Sequence, residues 1–347
     1  MNWRNATLDD VIELRRGFDL PSSDRVPGIF PIVSAGKLNG THHEARVDGP
    51  GFAVGRATNL GKPQWSDTDF WPLNTTLYAA DFKGNNPKWL YHLFETLDLA
   101  GYDSGSVQPM LNRNYIKHVP VMVPPRVAQD AIAEVLGALD DKIAANRRVQ
   151  RSIDDLLDAS FRKASRSTAE RVELGSLIAL NYGKSLPSSK RVEGPFPVVG
   201  SGGVVGYHDE SLVDGPAVIV GRKGSVGSTY WISEGCFPID TTYWVAPNGV
   251  SLGYAYRLLQ DIDFVAMNTD SAVPGLNRER AYALQVPLPD GAHLEEFDRL
   301  SGALTSKHSA LQVETSALAR TRDELLPLLM NGRIAVKEAE QAAEAVL

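Results

Sequence analysis

The sequence predicts a mixed α/β (α+β) fold: two pseudo-symmetric globular domains separated by an antiparallel two-helix coiled coil. Three observations carry this. The chain repeats itself without a gap, since residues 8–76 laid on residues 174–242 share 30 identities in 69 positions. Within each copy, short apolar runs lie between glycine- and proline-rich turns, the texture of short strands joined by long loops. After Pro124-Pro125 and again after Pro287-Leu288-Pro289 glycine and proline thin out, and a helical pattern runs for about 35 residues. A repeat period of about 166 residues is too long for a solenoid unit and indicates a duplicated domain.

The elements follow in order. Residues 1–125 form the first domain, opened by Thr7-Leu8-Asp9-Asp10, a hydroxyl at an N-cap position with a carboxylate three residues on. Short strands such as Phe52-Ala53-Val54 come next. Residues 126–165 form the first spacer helix, 166–290 the second domain with its own run Ala217-Val218-Ile219-Val220, and 291–332 the second spacer helix. The Ala- and Glu-rich tail 333–347 has no counterpart in the repeat.

The helices carry a heptad seam. Leu136, Leu139, Ile143, Asn146, Gln150, Ile153 and Leu157 alternate spacings of three and four, as do Leu304, His308, Leu311, Thr315, Leu318, Arg322 and Leu325. Two amphipathic helices packed each on its own domain would also give such a pattern. Polar seam residues such as Asn146 set register and partner rather than strengthen the seam. Connectivity then sets direction: the first helix hands the chain to the second domain, so the second helix must run back to pair with it. At 1.5 Å per residue such a rod is roughly 50 Å long, about 15 base pairs of duplex.

Composition excludes several classes. Net charge is −7 with a pI near 5.6, so total charge does not mark a nucleic-acid binder. The acidity is uneven: residues 1–125 carry 12 basic and 13 acidic side chains, residues 173–290 carry 8 and 12. Cys236 is the one cysteine, which rules out an intrachain disulfide and points to a reducing compartment. Met1-Asn2-Trp3-Arg4 lacks the apolar run of a signal peptide and no stretch reaches membrane-span length, so the expected location is the cytoplasm, away from any membrane.

With these motifs in hand the chain resembles the specificity subunit of type I restriction-modification systems, over Trp3 to Val336. The carriers are Val220-Gly221-Arg222-Lys223-Gly224-Ser225-Val226-Gly227 with Asp240-Thr241-Thr242-Tyr243, the helix start around Leu139-Asp140-Asp141-Lys142-Ile143, and Leu325-Leu326-Pro327-Leu328-Leu329 with Met330-Asn331-Gly332. Their order, given twice, is more specific than any one of them. The resemblance implies two target recognition domains, each reading one half of a bipartite, asymmetric site in double-stranded DNA. It also implies spacer helices that dock two methyltransferase subunits, with a restriction and translocase subunit as a further partner. S-adenosylmethionine, ATP and magnesium then belong to those partners, and this chain holds no cofactor. The first domain departs from the motif, with Ala57-Thr58-Asn59 where the second has Lys223-Gly224-Ser225.

Two copies of one scaffold suggest a sorting rule. Matched positions hold the fold or grip phosphate, whereas unmatched polar positions in equivalent loops read bases. Arg56 and Arg222 are matched and fit a phosphate contact or a structural role. Lys37, Asn59, Lys62 and Gln64 in the first domain, and Lys184, Lys223, Ser225, Ser228 and Tyr230 in the second, are the candidate base readers, since Lys suits guanine and Asn or Gln suit adenine. Trp65 and Trp231, matched, fit the core.

Catalytic chemistry is not legible. The repeated Gly40-Thr41-His42-His43-Glu44 and Gly206-Tyr207-His208-Asp209-Glu210 have no zinc-site spacing and suit a surface turn. There is no Gly-x4-Gly-Lys-Ser/Thr phosphate loop, and Gly221 to Gly227 lacks dinucleotide-binding spacing. Cys236 aligns with Phe70, which indicates packing. The expectation is therefore no catalytic residue and no metal, with two alternatives open: a nucleic-acid enzyme whose site lies among the loops, or an adaptor that binds proteins.

Overall fold

A computed structural model describes residues 3–102, 110–265 and 275–346. It divides into two compact units, residues 1–146 with 314–347 and residues 147–313. The division cuts both long helices, because each half-helix packs into the core of its own unit. Sequence-based boundaries at the helix ends therefore differ from the packing units.

Unit 1 runs β1 (Arg4–Thr7), α1 (Leu8–Val11), β2 (Glu13–Arg16), β3 (Phe30–Ser34), β4 (Lys37–His42), β5 (Gly51–Gly55), β6 (Pro63–Ser66), β7 (Trp71–Pro72), β8 (Thr76–Asp81), α2 (Pro87–Thr96), α3 (Arg113–Ile116) and β9 (Pro120–Val123). Then comes the first part of α4 (Arg126–Arg166). The strands form a four-stranded sheet β2-β8-β5-β6, a three-stranded sheet β4-β3-β7 and the pair β1-β9. At the start of α1 the expected cap is present: Asp10 Oδ2 accepts from the Thr7 N–H at 2.8 Å.

Strand β5 shows why this stacks in layers. All of Gly51–Gly55 is buried, and alternate side chains serve different cores. Phe52 and Val54 join Trp89, Leu90 and Phe94 of α2, while Ala53 joins Val33 and Phe70 on the other face. A central strand covered on both faces must be apolar throughout, as Phe52-Ala53-Val54 is.

Unit 2 repeats the plan with the second part of α4, β10 (Arg171–Glu173), α5 (Leu174–Leu177), β11 (Ile178–Tyr182), β12 (Phe196–Gly200), β13 (Gly203–His208), β14 (Ala217–Gly221), β15 (Thr229–Ile232), β16 (Phe237–Pro238), β17 (Thr242–Pro247), α6 (Leu252–Asp261), α7 (Arg278–Tyr282), β18 (Gln285–Pro287) and part of α8 (Gly291–Met330). Its sheets are β11-β17-β14-β15, β13-β12-β16 and β10-β18. Val218 and Val220 pack with Tyr254 and Leu258 of α6, whereas Ala217 and Ile219 pack with Val199 and Cys236. Cys236 thus fills the place of Phe70, and burial pushes its thiol up to about 11.

The long helices are antiparallel within each unit. In unit 1 Lys142 pairs with Glu314 at 3.0 Å and Asp140 with Arg322 at 3.1 Å; in unit 2 Lys163 pairs with Glu296 at 2.8 Å. The seam side chains Leu136, Leu139, Ile143, Leu318 and Leu325 are buried, but they merge with the core of unit 1. Ile153, Leu157 and Leu311, with half-buried Leu304, form a separate small cluster in unit 2. Asn146 is a buried polar seam residue at 4% exposure. The seam thus behaves as domain core in unit 1 and as a helix pair in unit 2.

The tail is structured. Gly332, with φ +71, lies against the indole of Trp3, and α9 (Val336–Glu344) buries Val336, Ala339 and Ala343 in the core of unit 1. Among the described residues no helix is long and apolar enough to cross a membrane.

Candidate nucleic-acid interface

In each unit three segments converge on one end of the four-stranded sheet: the β5–β6 or β14–β15 loop, the β3–β4 or β12–β13 turn, and the residues just before α3 or α7. The first loop closes identically in both units. Gly61 N donates to Gly55 O at 2.9 Å, and Gly227 N to Gly221 O at 2.8 Å. Gly61 (φ +74) and Gly227 (φ +78) need glycine twice over. A Cβ there would sit 2.8 Å from Leu99 Cβ or 2.5 Å from Phe264 Cβ.

The turn is fastened to this loop by different side chains in the two units. Asn59, in the left-handed region at φ 48, donates from Nδ2 to Ala35 O at 3.0 Å. In unit 2 the Tyr230 hydroxyl donates to Ser201 O, the aligned carbonyl, at 3.0 Å. Both residues are candidate base readers by the repeat, and both spend a polar group on holding a turn. Gln64 is half-buried and its Nε2 donates to Trp65 O at 3.2 Å. Ser228 is half-buried, whereas Lys37, Lys62, Lys184, Lys223 and Ser225 are exposed.

The third segment adds residues that the alignment of the first 69 positions did not reach. Leu111 N donates to Arg56 O, and Leu276 N to Arg222 O, each at 2.8 Å. Asn112 and Asn277 cap the short helices that follow, accepting from Asn114 N at 2.9 Å and Arg280 N at 3.1 Å. Arg113 and Arg278 thereby begin short helices that follow directly on the residues bonded to Arg56 and Arg222. The signal was present in the sequence as the repeated Leu-Asn-Arg, which lies beyond a one-residue deletion.

Sheet register brings in a fourth position. Arg16 pairs with Leu77 at the end of β2, and Gly55 pairs with Thr76; Tyr182 with Tyr243 and Gly221 with Thr242 repeat this in unit 2. In unit 2 the guanidinium carbons of Arg222 and Arg278 lie 5.2 Å and 5.3 Å from the Tyr182 ring centroid. Arg222 donates from Nε and Nη2 to Asp240 O at 3.2 Å and 2.8 Å, as Arg56 Nη1 donates to the aligned Asn74 O at 3.5 Å. Burial, followed by the charge of Arg16, lowers the Arg56 pKa. Among the described residues no carboxylate forms an ion pair with Arg16, Arg56, Arg113 or Arg222.

The remaining candidates are structural. Trp65 and Trp231 pack edge-on against Tyr91 and Tyr256, centroids 5.7 Å apart in each case. His42 and His208 are buried, each Nδ1 accepting from a backbone N–H, of Val26 and Val192, at 3.1 Å. His42, His43 and Glu44 do bring ligand atoms within 4.8 Å of one another, but the His42 ring is committed to Val26 and packs edge-on against Trp71.

Residues 1–154 match the family model of the type I restriction modification DNA specificity domain. The type I restriction enzyme EcoprrI specificity subunit of Escherichia coli is 24% identical over 143 residues, 40% of this chain and 36% of that protein. This chain is thus aligned with little more than a third of that relative's length. The crystal structure of a type I restriction-modification S subunit from M. genitalium superimposes with a TM-score of 0.74 at 20% identity, covering 95% of this chain and 96% of that one. At that identity the likeness is one of fold.

Proposed function

We propose that this chain, which over residues 1–154 matches the family model of the type I restriction modification DNA specificity domain, is the sequence-recognising subunit of a multi-subunit DNA methyltransferase. The observation that supports this most strongly is the duplication of one loop scaffold around different side chains. Each unit builds the same glycine-closed loop and the same arginine positions, yet offers Lys37 and Lys62 in one and Lys184, Lys223 and Ser225 in the other. A common frame with different exposed polar residues suits two related readings of two different half-sites.

In this reading each unit recognises one half of a bipartite, asymmetric site, and α4 with α8 sets the spacing and docks two methyltransferase subunits. A translocase and nuclease subunit joins where the system carries one. S-adenosylmethionine, ATP and magnesium are supplied by those partners, and this chain contributes recognition and positioning without a bond-making step of its own.

The test is methylome sequencing of cells carrying the chain with its methyltransferase subunit. Lys62→Ala and Gln64→Ala are expected to relax one half-site only, and Lys223→Ala the other only. Because Gln64 already donates to Trp65 O, Lys62→Ala should have the larger effect, on the order of 1–3 kcal/mol of discrimination at one base pair. Equal weakening of both half-sites by every variant would defeat the assignment of one unit to one half-site.

A further inference from the structure

We infer that Arg222 and Arg278, gathered on Tyr182, form a clamp for one DNA backbone phosphate in unit 2, and that Arg56 and Arg16 form its counterpart in unit 1. The inference rests on the DNA-recognition reading and adds to it residues, a ligand group and a division of labour.

The chemistry begins with charge. The guanidinium carbons of two arginines lie within 5.3 Å of the centroid of one tyrosine ring, and that residue, Tyr182, is 52% exposed. Bringing like charges together costs energy unless something negative is present. The ring faces of Tyr182 and Tyr243 offset part of this repulsion, the Tyr243 ring lying 5.9 Å from Arg222. The Asp240 carbonyl, which accepts two Arg222 donors, orients that guanidinium, and among the described residues Nη1 has no hydrogen-bond acceptor. Among the described residues the ion-pair partner of Arg278 is Glu279 at 3.5 Å, itself 78% exposed. The outcome is a pre-oriented, incompletely neutralised pair of planar forks, which suits an anion with two equivalent oxygens.

The repeat indicates phosphate over a base. Asn59, Lys62 and Gln64 are each replaced by a different residue in the other unit, as expected of side chains that read different sequences. The two arginine positions and the backbone bonds joining them, Leu111 N to Arg56 O and Leu276 N to Arg222 O, are the same in both. A group common to all sequences is the phosphate. The single change, Arg16 for Tyr182, alters charge and stacking while leaving the two matched arginines in place. Unit 1 therefore has Arg16 beside Arg56, where unit 2 has an aromatic ring with two guanidiniums over it.

The test uses the complex of the full chain with its methyltransferase subunit and two duplexes, one carrying the site mapped by methylome sequencing and one scrambled. Arg278→Ala should weaken binding roughly 10-fold on both duplexes alike and lower the slope of log affinity against log salt by about one. The methylated sequence should stay the same. Arg278→Lys, which keeps the charge, should keep the slope and lose less affinity. With wild-type protein, a neutral methylphosphonate at one backbone position per half-site should reproduce the loss, and Arg278→Ala should add nothing on the duplex neutralised in that half-site. The clamp is overturned if Arg278→Ala leaves affinity and slope unchanged, if it changes the base that is read, or if no single methylphosphonate weakens the wild-type complex. Should the wild-type complex bind both duplexes equally, the recognition reading fails, independently of the slope.

Discussion

Arg322 ties α8 to α2 and α4 in unit 1. Its guanidinium donates to Glu95 of α2, to Asp140 of α4 at 3.1 Å and to Asp323 at 2.9 Å. Glu95 also accepts from Nδ1 of fully buried His92 at 2.8 Å. Burial pushes the Glu95 carboxyl up, but the His92 hydrogen bond and the charge of Arg322 outweigh it and hold the group below its ordinary value of 4.5. Asp140, with less support, is held above its ordinary 3.8 by burial. The signs are opposite. A lowered carboxyl lends stability that is complete above its unfolded value and is lost as pH falls through the folded one; a raised carboxyl lends stability at low pH that is lost as pH rises through it. Glu95→Gln is therefore expected to destabilise unit 1 by about 1–3 kcal/mol at pH 7. The gap between variant and wild type should narrow as pH drops below about 4.5, which thermal melts between pH 7 and pH 3.5 would register. A gap constant with pH would mean that the Glu95 charge contributes nothing. None of this network was legible in the sequence, where Arg322 is merely a polar interruption of a heptad. Two of its partners, Glu95 and Asp140, lie 227 and 182 residues away in the chain.

At the scale of elements, legibility followed the range of the interactions. The long helices could be read because a heptad repeats locally. Leu136, Leu139, Ile143, Leu318 and Leu325 are buried where the pattern places an inward face. What the pattern could not convey is what covers that face, which is domain core in unit 1 and the opposite helix in unit 2. The tail shows the same limit. Val336, Ala339 and Ala343 repeat at spacings of three and four, but their partners include residues near the other end of the chain. Alanine-rich helices of this length do not persist alone in water, so α9 exists because unit 1 covers it. Truncation after Arg333 is expected to cost roughly 2–4 kcal/mol from lost apolar burial. Hydrogen exchange should then show faster exchange around β1, β9 and the last turns of α8, with unit 2 unchanged. Equal loosening of both units would contradict the assignment of the tail to unit 1.

For the molecule as a whole, net charge sets the expected behaviour of the chain without partners. At −7 overall, long-range forces oppose approach to DNA, and affinity must come from local basic groups such as Lys62, Lys223 and the arginines at the sheet ends. Such contacts act by releasing counterions, so they weaken steeply as salt rises. The isolated chain is thus expected to bind DNA only at low salt, with little preference between a specific and a scrambled duplex, and to lose about 10-fold or more in affinity between 50 and 200 mM salt. Under the proposed function, adding a methyltransferase subunit is expected to restore binding at physiological salt and to create the preference. Fluorescence anisotropy with and without the partner measures both effects. Tight, site-specific binding by the chain alone at 150 mM salt would show that local groups outweigh the net charge. If the partner associates with the chain yet confers no preference for any DNA sequence, the duplication would instead serve contacts between proteins, and the exposed lysines of the two units would have no bases to read.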